Sequence, residues 1–165
     1  MSKKIDVLQG AWDANGLTIG VVTARFNSEV TEKLEMGAIN ELNGMGCKMI
    51  RAVRVPGVVE VPLAAKWLLD DGCDAVVALG AVIRGETSHY DYVCSSVERG
   101  VTELQLKSGK PVAFGILTTE NDEQALERAG GRHGNKGTEC AQVAVEMVRL
   151  SQMIKSSPTG QIGLR

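Results

Sequence analysis

The residues of this chain best suited to chemistry sit in short polar segments that each follow an apolar run. Gly85-Glu86-Thr87-Ser88-His89 is the richest of them. Gly85 permits a tight backbone, and Thr87 and Ser88 stand where a helical pattern begins. Outward-pointing N–H groups and the positive end of a helix dipole favour a phosphate or carboxylate at such a point. The same hydroxyls would equally serve as a plain helix cap. His89 either carries a proton near neutral pH or is a hydrogen-bonded surface residue. Phe26 either covers a planar ring by offset stacking or packs as a staple on the following helix. Glu60 either meets a substrate or complements a helix dipole from its first turn. Arg128 reads as a solvated helix end.

Two familiar phosphate motifs are missing. The segment Gly130 to Gly137 is rich in glycine, but it lacks the G-x-x-x-x-G-K-[ST] order, follows a helix and leaves no hydroxyl for magnesium. No G-x-G-x-x-G follows the first apolar run, so a dinucleotide site has no support. Cys47, Cys73, Cys94 and Cys140 are scattered without a C-x-x-C pair, and two histidines give little help to a metal. Buried, reduced thiols are the expectation.

The elements that must position these segments alternate regularly. Leu17 to Val22 is a short apolar run, followed by helical spacing at Val30, Leu34, Ala38 and Leu42, with Ser28 as cap and Gly44 and Gly46 as stop. Met49 to Val55 predicts a second strand ending at Pro56-Gly57, and Leu63, Ala64, Trp67 and Leu68 a second helix, with Pro62 in its first turn. Asp74 to Val82 is apolar on both faces, as a central parallel strand requires. Val93, Val97, Val101 and Leu104 mark a third helix, and Pro111 to Leu117 a fourth strand. A short helix over about Asp122 to Ala129 and a longer one with Cys140, Val143, Ala144, Met147, Leu150 and Ile154 on one face complete the pattern.

Such alternation predicts an α/β fold with a central parallel sheet and helices on both faces. In that architecture the loops leaving the strand carboxyl ends gather on one edge, where ligands bind at a switch in strand order. Four loops qualify: Thr23 to Asn27, Pro56 to Glu60, Ile83 to His89 and Thr118 to Asn121. The chemistry named above thus shares one rim.

Composition narrows the classes. A length of 165 residues with 44% hydrophobic content fits one domain, and a net charge of −2 offers no field for nucleic acid. No apolar stretch approaches a membrane span and no apolar leader follows Met1 to Asp6, so a cytoplasmic location is expected. The expected layout is a core over about 16–155, an N-terminal arm at 1–15 and a flexible tail at 156–165.

Read in order, Ala24-Arg25-Phe26-Asn27, Val55-Pro56-Gly57 through Glu60-Val61-Pro62, Gly80 to Val93, Phe114 to Thr119 and Glu123-Gln124-Ala125 through Asn135-Lys136-Gly137 resemble the lumazine synthase family of riboflavin biosynthesis. The resemblance implies a flavodoxin-like three-layer sandwich, assembled as homopentamers that can close into icosahedral capsids, with active sites between subunits. Carried over by motif, Phe26 would stack on a pyrimidine. Asn27 and Glu60, with the backbone of Val58, Val59, Ala81, Val82 and Ile83, would bind its ribityl chain and ring edge. Gly85, Glu86 and Thr87 would hold a ketone phosphate, completed by Arg128 of the adjacent subunit, with Phe114 and Lys136 also reaching across. His89 would carry the proton. No metal or redox cofactor is implied; the substrates are small molecules. Many family members carry an aromatic residue where this chain has Val59, which reduces stacking on that side.

Two rivals follow from the same pattern. A non-catalytic flavin-binding protein would use Phe26 and the Gly85 to Thr87 turn without turnover. A signalling receiver would need acidic residues at the strand ends to hold magnesium, and the first strand ends in Thr23-Ala24-Arg25 instead.

Overall fold

A computed structural model describes residues 3–156. The tail expected at 156–165 lies, Ser156 apart, outside the described residues. In chain order the elements are β1 (Thr18–Ala24), α1 (Ser28–Gly44), β2 (Met49–Val55), a 3₁₀ turn at Val58–Glu60, α2 (Val61–Asp70), β3 (Ala75–Ile83), α3 (His89–Ser108), β4 (Val112–Thr119), α4 (Asp122–Glu127), β5 (Ala129–Gly131), β6 (Gly134–Asn135) and α5 (Lys136–Ser156). β1 to β4 form one parallel sheet in the order β2-β1-β3-β4, which is the flavodoxin-like order. β3 is central because its apolar run leaves both faces free to be covered, and its first seven residues are buried.

Two apolar layers flank the sheet. Ile19, Val21, Val77 and Leu79 pack against Leu34, Ala38 and Leu42 of α1 and Ala141 and Val145 of α5. On the other face, Val22, Val76 and Val112 pack against Val61 and Leu68 of α2 and Val97 and Val101 of α3. Gly137 lets α5 sit on α1, since a Cβ there would run into the Leu34 carbonyl oxygen. Asn135 locks this approach: its Oδ1 accepts from the N–H groups of Gly137 (2.8 Å) and Thr138 (3.2 Å), capping α5, while its Nδ2 donates to the Lys33 carbonyl of α1 at 3.0 Å.

The structure departs from the sequence pattern in which helix faces it buries. On α5 the buried stripe is Gly137, Cys140, Ala141, Ala144, Val145 and Val148, whereas Val143, Met147 and Ile154 are exposed. The small residues win because they allow the backbones to approach. On α2, Leu63 and Trp67 face outward and Val61, Ala65 and Leu69 turn in beside Ala64 and Leu68. Helix α4 ends two residues early, at Glu127, and the glycine-rich segment forms the small antiparallel hairpin of β5 and β6. Residues 10 to 15 of the expected arm dock on α5, with Trp12 donating to Glu146 (3.3 Å) and Arg149 to the carbonyls of Asp13 and Asn15 (both 2.7 Å). The cysteines are free thiols; Cys73 and Cys140 are buried, Cys47 and Cys94 half-buried, and burial pushes the Cys140 thiol up to about 11.

One ion pair is set into the α1 face. Glu35 is buried, and both its oxygens accept from the Arg54 guanidinium, at 2.7 and 3.1 Å. These hydrogen bonds hold the Glu35 carboxyl below its ordinary value, against the opposing effect of desolvation. A carboxylate depressed on folding stabilises above its unfolded value, and that contribution is lost as pH falls through the folded one. Wild-type protein should therefore lose thermal stability in acid more steeply than Glu35→Gln, which should be the weaker of the two at neutral pH. Melting curves from pH 7 to 3 that run parallel for the two proteins would contradict this.

Candidate active site

The chain moves from β1 to β2 on one side of the sheet and then to β3 on the other, so a crevice opens between the carboxyl ends of β1 and β3. A cavity of about 260 Å³ lies there. Phe26 and Asn27 line it from the β1–α1 turn, Gly57, Val58 and Val59 from the β2–α2 turn, and Ala81, Val82 and Ile83 from the end of β3. Gly85, Thr87, His89, Tyr90 and Val93 close it from the next turn and the start of α3. A wider groove, about 470 Å³, runs between α2 and α3 past Leu63, Lys66, Glu103 and Lys107, and gathers none of the candidate site residues.

Local backbone devices shape the cavity. Asn27 adopts a left-handed conformation (φ 64°) that makes room for the turn into α1. Its side chain donates to the Ala81 carbonyl at 2.9 Å, which ties the β1 turn to the end of β3. Gly80 leaves space for the 3₁₀ turn, because a Cβ there would run into a methyl of Val58. The floor of the cavity is consequently a tight packing of Val58 on β3. Phe26 is 72% exposed, so its ring is free to face a ligand and is not spent as a staple.

Several of the plainer roles are occupied in this structure. Asn27, not Ser28, holds the cap position of α1, and makes no side-chain capping bond; its side chain turns to the Ala81 carbonyl. The Glu60 carboxylate accepts from the Gly57 N–H at 3.0 Å and fixes the β2–α2 turn. Thr87 Oγ1 accepts from the His89 N–H at 3.3 Å at the head of α3, while Ser88 makes no side-chain capping bond. Glu60 and Glu86 are exposed and flank the cavity without lining it.

Phe114, Arg128 and Lys136 do not reach the cavity of their own chain. Phe114 pairs with Ala78 and Thr118 with Val82. Phe114 therefore lies four residues back from Val82, about 13 Å at the rise of a strand. Arg128 closes α4, its Nη1 donating to the Gln124 carbonyl at 3.0 Å, and its own carbonyl accepts from the Lys136 N–H at 2.8 Å. The hairpin thus brings the backbones of these two residues together. Gly57, Tyr90 and Val93 line the cavity although the sequence did not single them out as site residues. The signal for Val93 was helical spacing, since it follows His89 by four positions and Tyr90 by three, and so neighbours both on α3. Among the described residues no group of three or more His, Cys, Asp or Glu stands close enough to hold a metal ion.

A parallel sheet of flavodoxin-like order, with an exposed ring, a glycine-hydroxyl turn and a histidine around its switch-point cavity, defines an α/β protein with a site for a small molecule. Residues 16–152 match the model of the 6,7-dimethyl-8-ribityllumazine synthase family. The chain is also 60% identical over 141 residues to the 6,7-dimethyl-8-ribityllumazine synthase of Bdellovibrio bacteriovorus, a match covering 86% of this chain and 79% of that one. The chain belongs to the 6,7-dimethyl-8-ribityllumazine synthase family, an enzyme family of riboflavin biosynthesis.

The Asn27 clamp can be tested by itself. Asn27→Ala removes the bond to Ala81 and places a Cβ residue with no local polar partner in the left-handed region, at a combined cost of about 1–3 kcal/mol. Asn27→Gly loses the bond but relieves the strain. Urea unfolding should therefore rank wild type above Asn27→Gly and Asn27→Gly above Asn27→Ala; wild-type stability in both variants would show that the clamp contributes nothing.

Proposed function

We propose that the chain condenses 5-amino-6-(D-ribitylamino)uracil with 3,4-dihydroxy-2-butanone 4-phosphate, forming 6,7-dimethyl-8-ribityllumazine and releasing phosphate and water. The observation that carries this reading is the meeting of Phe26, the Gly85 to Thr87 turn and His89 at one cavity, in a chain of this family. Phe26 stacks on the pyrimidine. Asn27, Glu60 and the backbone of Val58, Val59, Ala81, Val82 and Ile83 meet the ribityl chain and the ring edge. Gly85, Glu86 and Thr87 hold the phosphate by N–H and hydroxyl groups.

The reaction suits those groups. An amine adds to the ketone, water and inorganic phosphate leave, an enol tautomerises, and the ring closes with loss of a second water. His89 moves protons among these steps, while juxtaposition of two reactants and fixed positive groups around the departing phosphate supply the remaining acceleration. Val59, half-exposed at the rim, offers shape but no stacking.

The enzyme works as a single cytoplasmic domain assembled into homopentamers, each site completed by Phe114, Arg128 and Lys136 of the adjacent subunit. Two observations support this. Those three residues are remote from their own chain's cavity, and α2 presents Leu63 and Trp67 to the outside, 52% and 61% exposed. No helix among the described residues is long and apolar enough to cross a membrane.

Lumazine fluorescence on mixing the two substrates tests the reaction; a protein that turns yellow with bound flavin and never yields product would overturn it in favour of flavin binding. His89→Ala should lower turnover roughly a hundred- to ten-thousand-fold, the span of general acid-base contributions. Arg128→Ala should weaken the phosphate-bearing substrate by about 1.5–3 kcal/mol, the worth of a charged hydrogen bond. Mixed at random in one assembly, these two variants would leave about a quarter of the shared sites with both residues intact. Activity of the co-assembled mixture above that of either variant supports sites built between subunits, and the plain average of the two refutes it.

A further inference from the structure

Arg84 is the first residue after β3, and its side chain crosses the base of the turn that it begins. Its N–H donates to the Thr119 carbonyl at the end of β4 (2.9 Å), and its Nε donates to Glu120 Oε2 at 2.8 Å. On the far side of the turn, Nη1 lies 3.7 Å from Asp91 Oδ1 in the first turn of α3, and the guanidinium carbon sits 4.3 Å from the centroid of the Tyr90 ring. Residues 85 to 89 therefore run as a loop whose two ends are held together by one planar cation. Within the loop itself the side-chain hydrogen bond is the weak one from the His89 N–H to Thr87.

An exposed ion pair contributes little by itself, and Arg84 is 40% exposed. Its contacts are of different kinds, however. The edge of the guanidinium serves two carboxylates from separate elements, while its face covers an aromatic ring, which fixes the group's plane as well as its position. Lysine can reach a carboxylate but cannot do both. The Glu120 end is itself anchored, because the Glu120 N–H donates to Gln124 Oε1 at 2.8 Å, and the carbonyl of the same Gln124 accepts from Arg128.

We propose that Arg84 is a positioning residue: it holds the Gly85 to His89 turn in the shape that receives the phosphate of the substrate and presents His89, without touching substrate itself. This rests on the reaction proposed above. The requirement falls on one substrate. The phosphate depends on N–H groups of the loop, whereas the pyrimidine leans on Phe26 and the ends of β1 and β3.

Two readouts separate the clamp from the reaction. Amide hydrogen exchange across residues 85 to 89 reports on the clamp whatever the protein catalyses: Arg84→Met should exchange faster there than wild type, with the strands unaffected. In the coupled assay, Arg84→Met should raise KM for the ketone phosphate roughly ten- to a hundred-fold, the effect of an ångström-scale misplacement, while KM for the pyrimidine stays within about twofold. Arg84→Lys should recover part of the loss, and Glu120→Gln with Asp91→Asn should reproduce part of it. Unchanged exchange in Arg84→Met, or both Michaelis constants rising together with a fall in melting temperature, would overturn the positioning role. Faster exchange in a protein whose wild type forms no lumazine would remove the reaction and leave the clamp standing.

Discussion

Parallel pairing about β3 is the constraint on which the rest depends. Because β1, β2 and β4 all run in the direction of β3, every connection that leaves a strand's carboxyl end must emerge on the same rim. The reversal of strand order between β1 and β3 then opens a crevice there between the loops that lead away on opposite faces of the sheet. Burial of both faces of β3 makes this rim rigid, since shifting the strand would disturb two apolar layers at once.

The cavity inherits that rigidity through close contacts. Asn27 ties one wall to the Ala81 carbonyl, Gly80 admits the Val58 turn onto the sheet, and Glu60 secures that turn through the Gly57 N–H. Side chains with an ordinary structural role and side chains suited to a ligand are thus interleaved within a few residues. Under the reaction proposed above, Glu60 would combine the two, for a carboxylate that stabilises its own turn is already oriented before any ligand arrives.

Most of the framework was legible in the sequence because it depends on local rules. Apolar runs marked β1, β3 and β4, helical spacing marked α1 and α3, and the loops following the strands contained Phe26, Thr87 and His89, which the fold brings to one cavity. The faces of α2 and α5 were not legible. Their apolar residues admit two stripes offset by a position, and the choice is made by small residues meeting a neighbouring helix, as at Gly137 against Leu34. The hairpin of β5 and β6 was hidden for a similar reason: Asn135 caps α5 and grips α1 through partners more than a hundred residues distant in the chain. Val93 was readable from spacing but carried no unusual chemistry to draw notice. Sequence pattern alone offers no route to Phe114, Arg128 and Lys136, which lie off the cavity of their own chain; family resemblance supplied them.

The sheet has two strands with a single neighbour, and they are protected unequally. Along β2, Arg51 and Arg54 project charge that is paired with Asp71 and Glu35. Along β4, from Val112 to Thr119, there is no charged side chain, and the half-uncovered ring of Phe114 sits amid a row of open backbone groups. Such an edge is a template for unwanted pairing between molecules. For a chain on its own, β4 is accordingly the strand most open to pairing with another molecule, and crowding single chains together is what would expose that weakness.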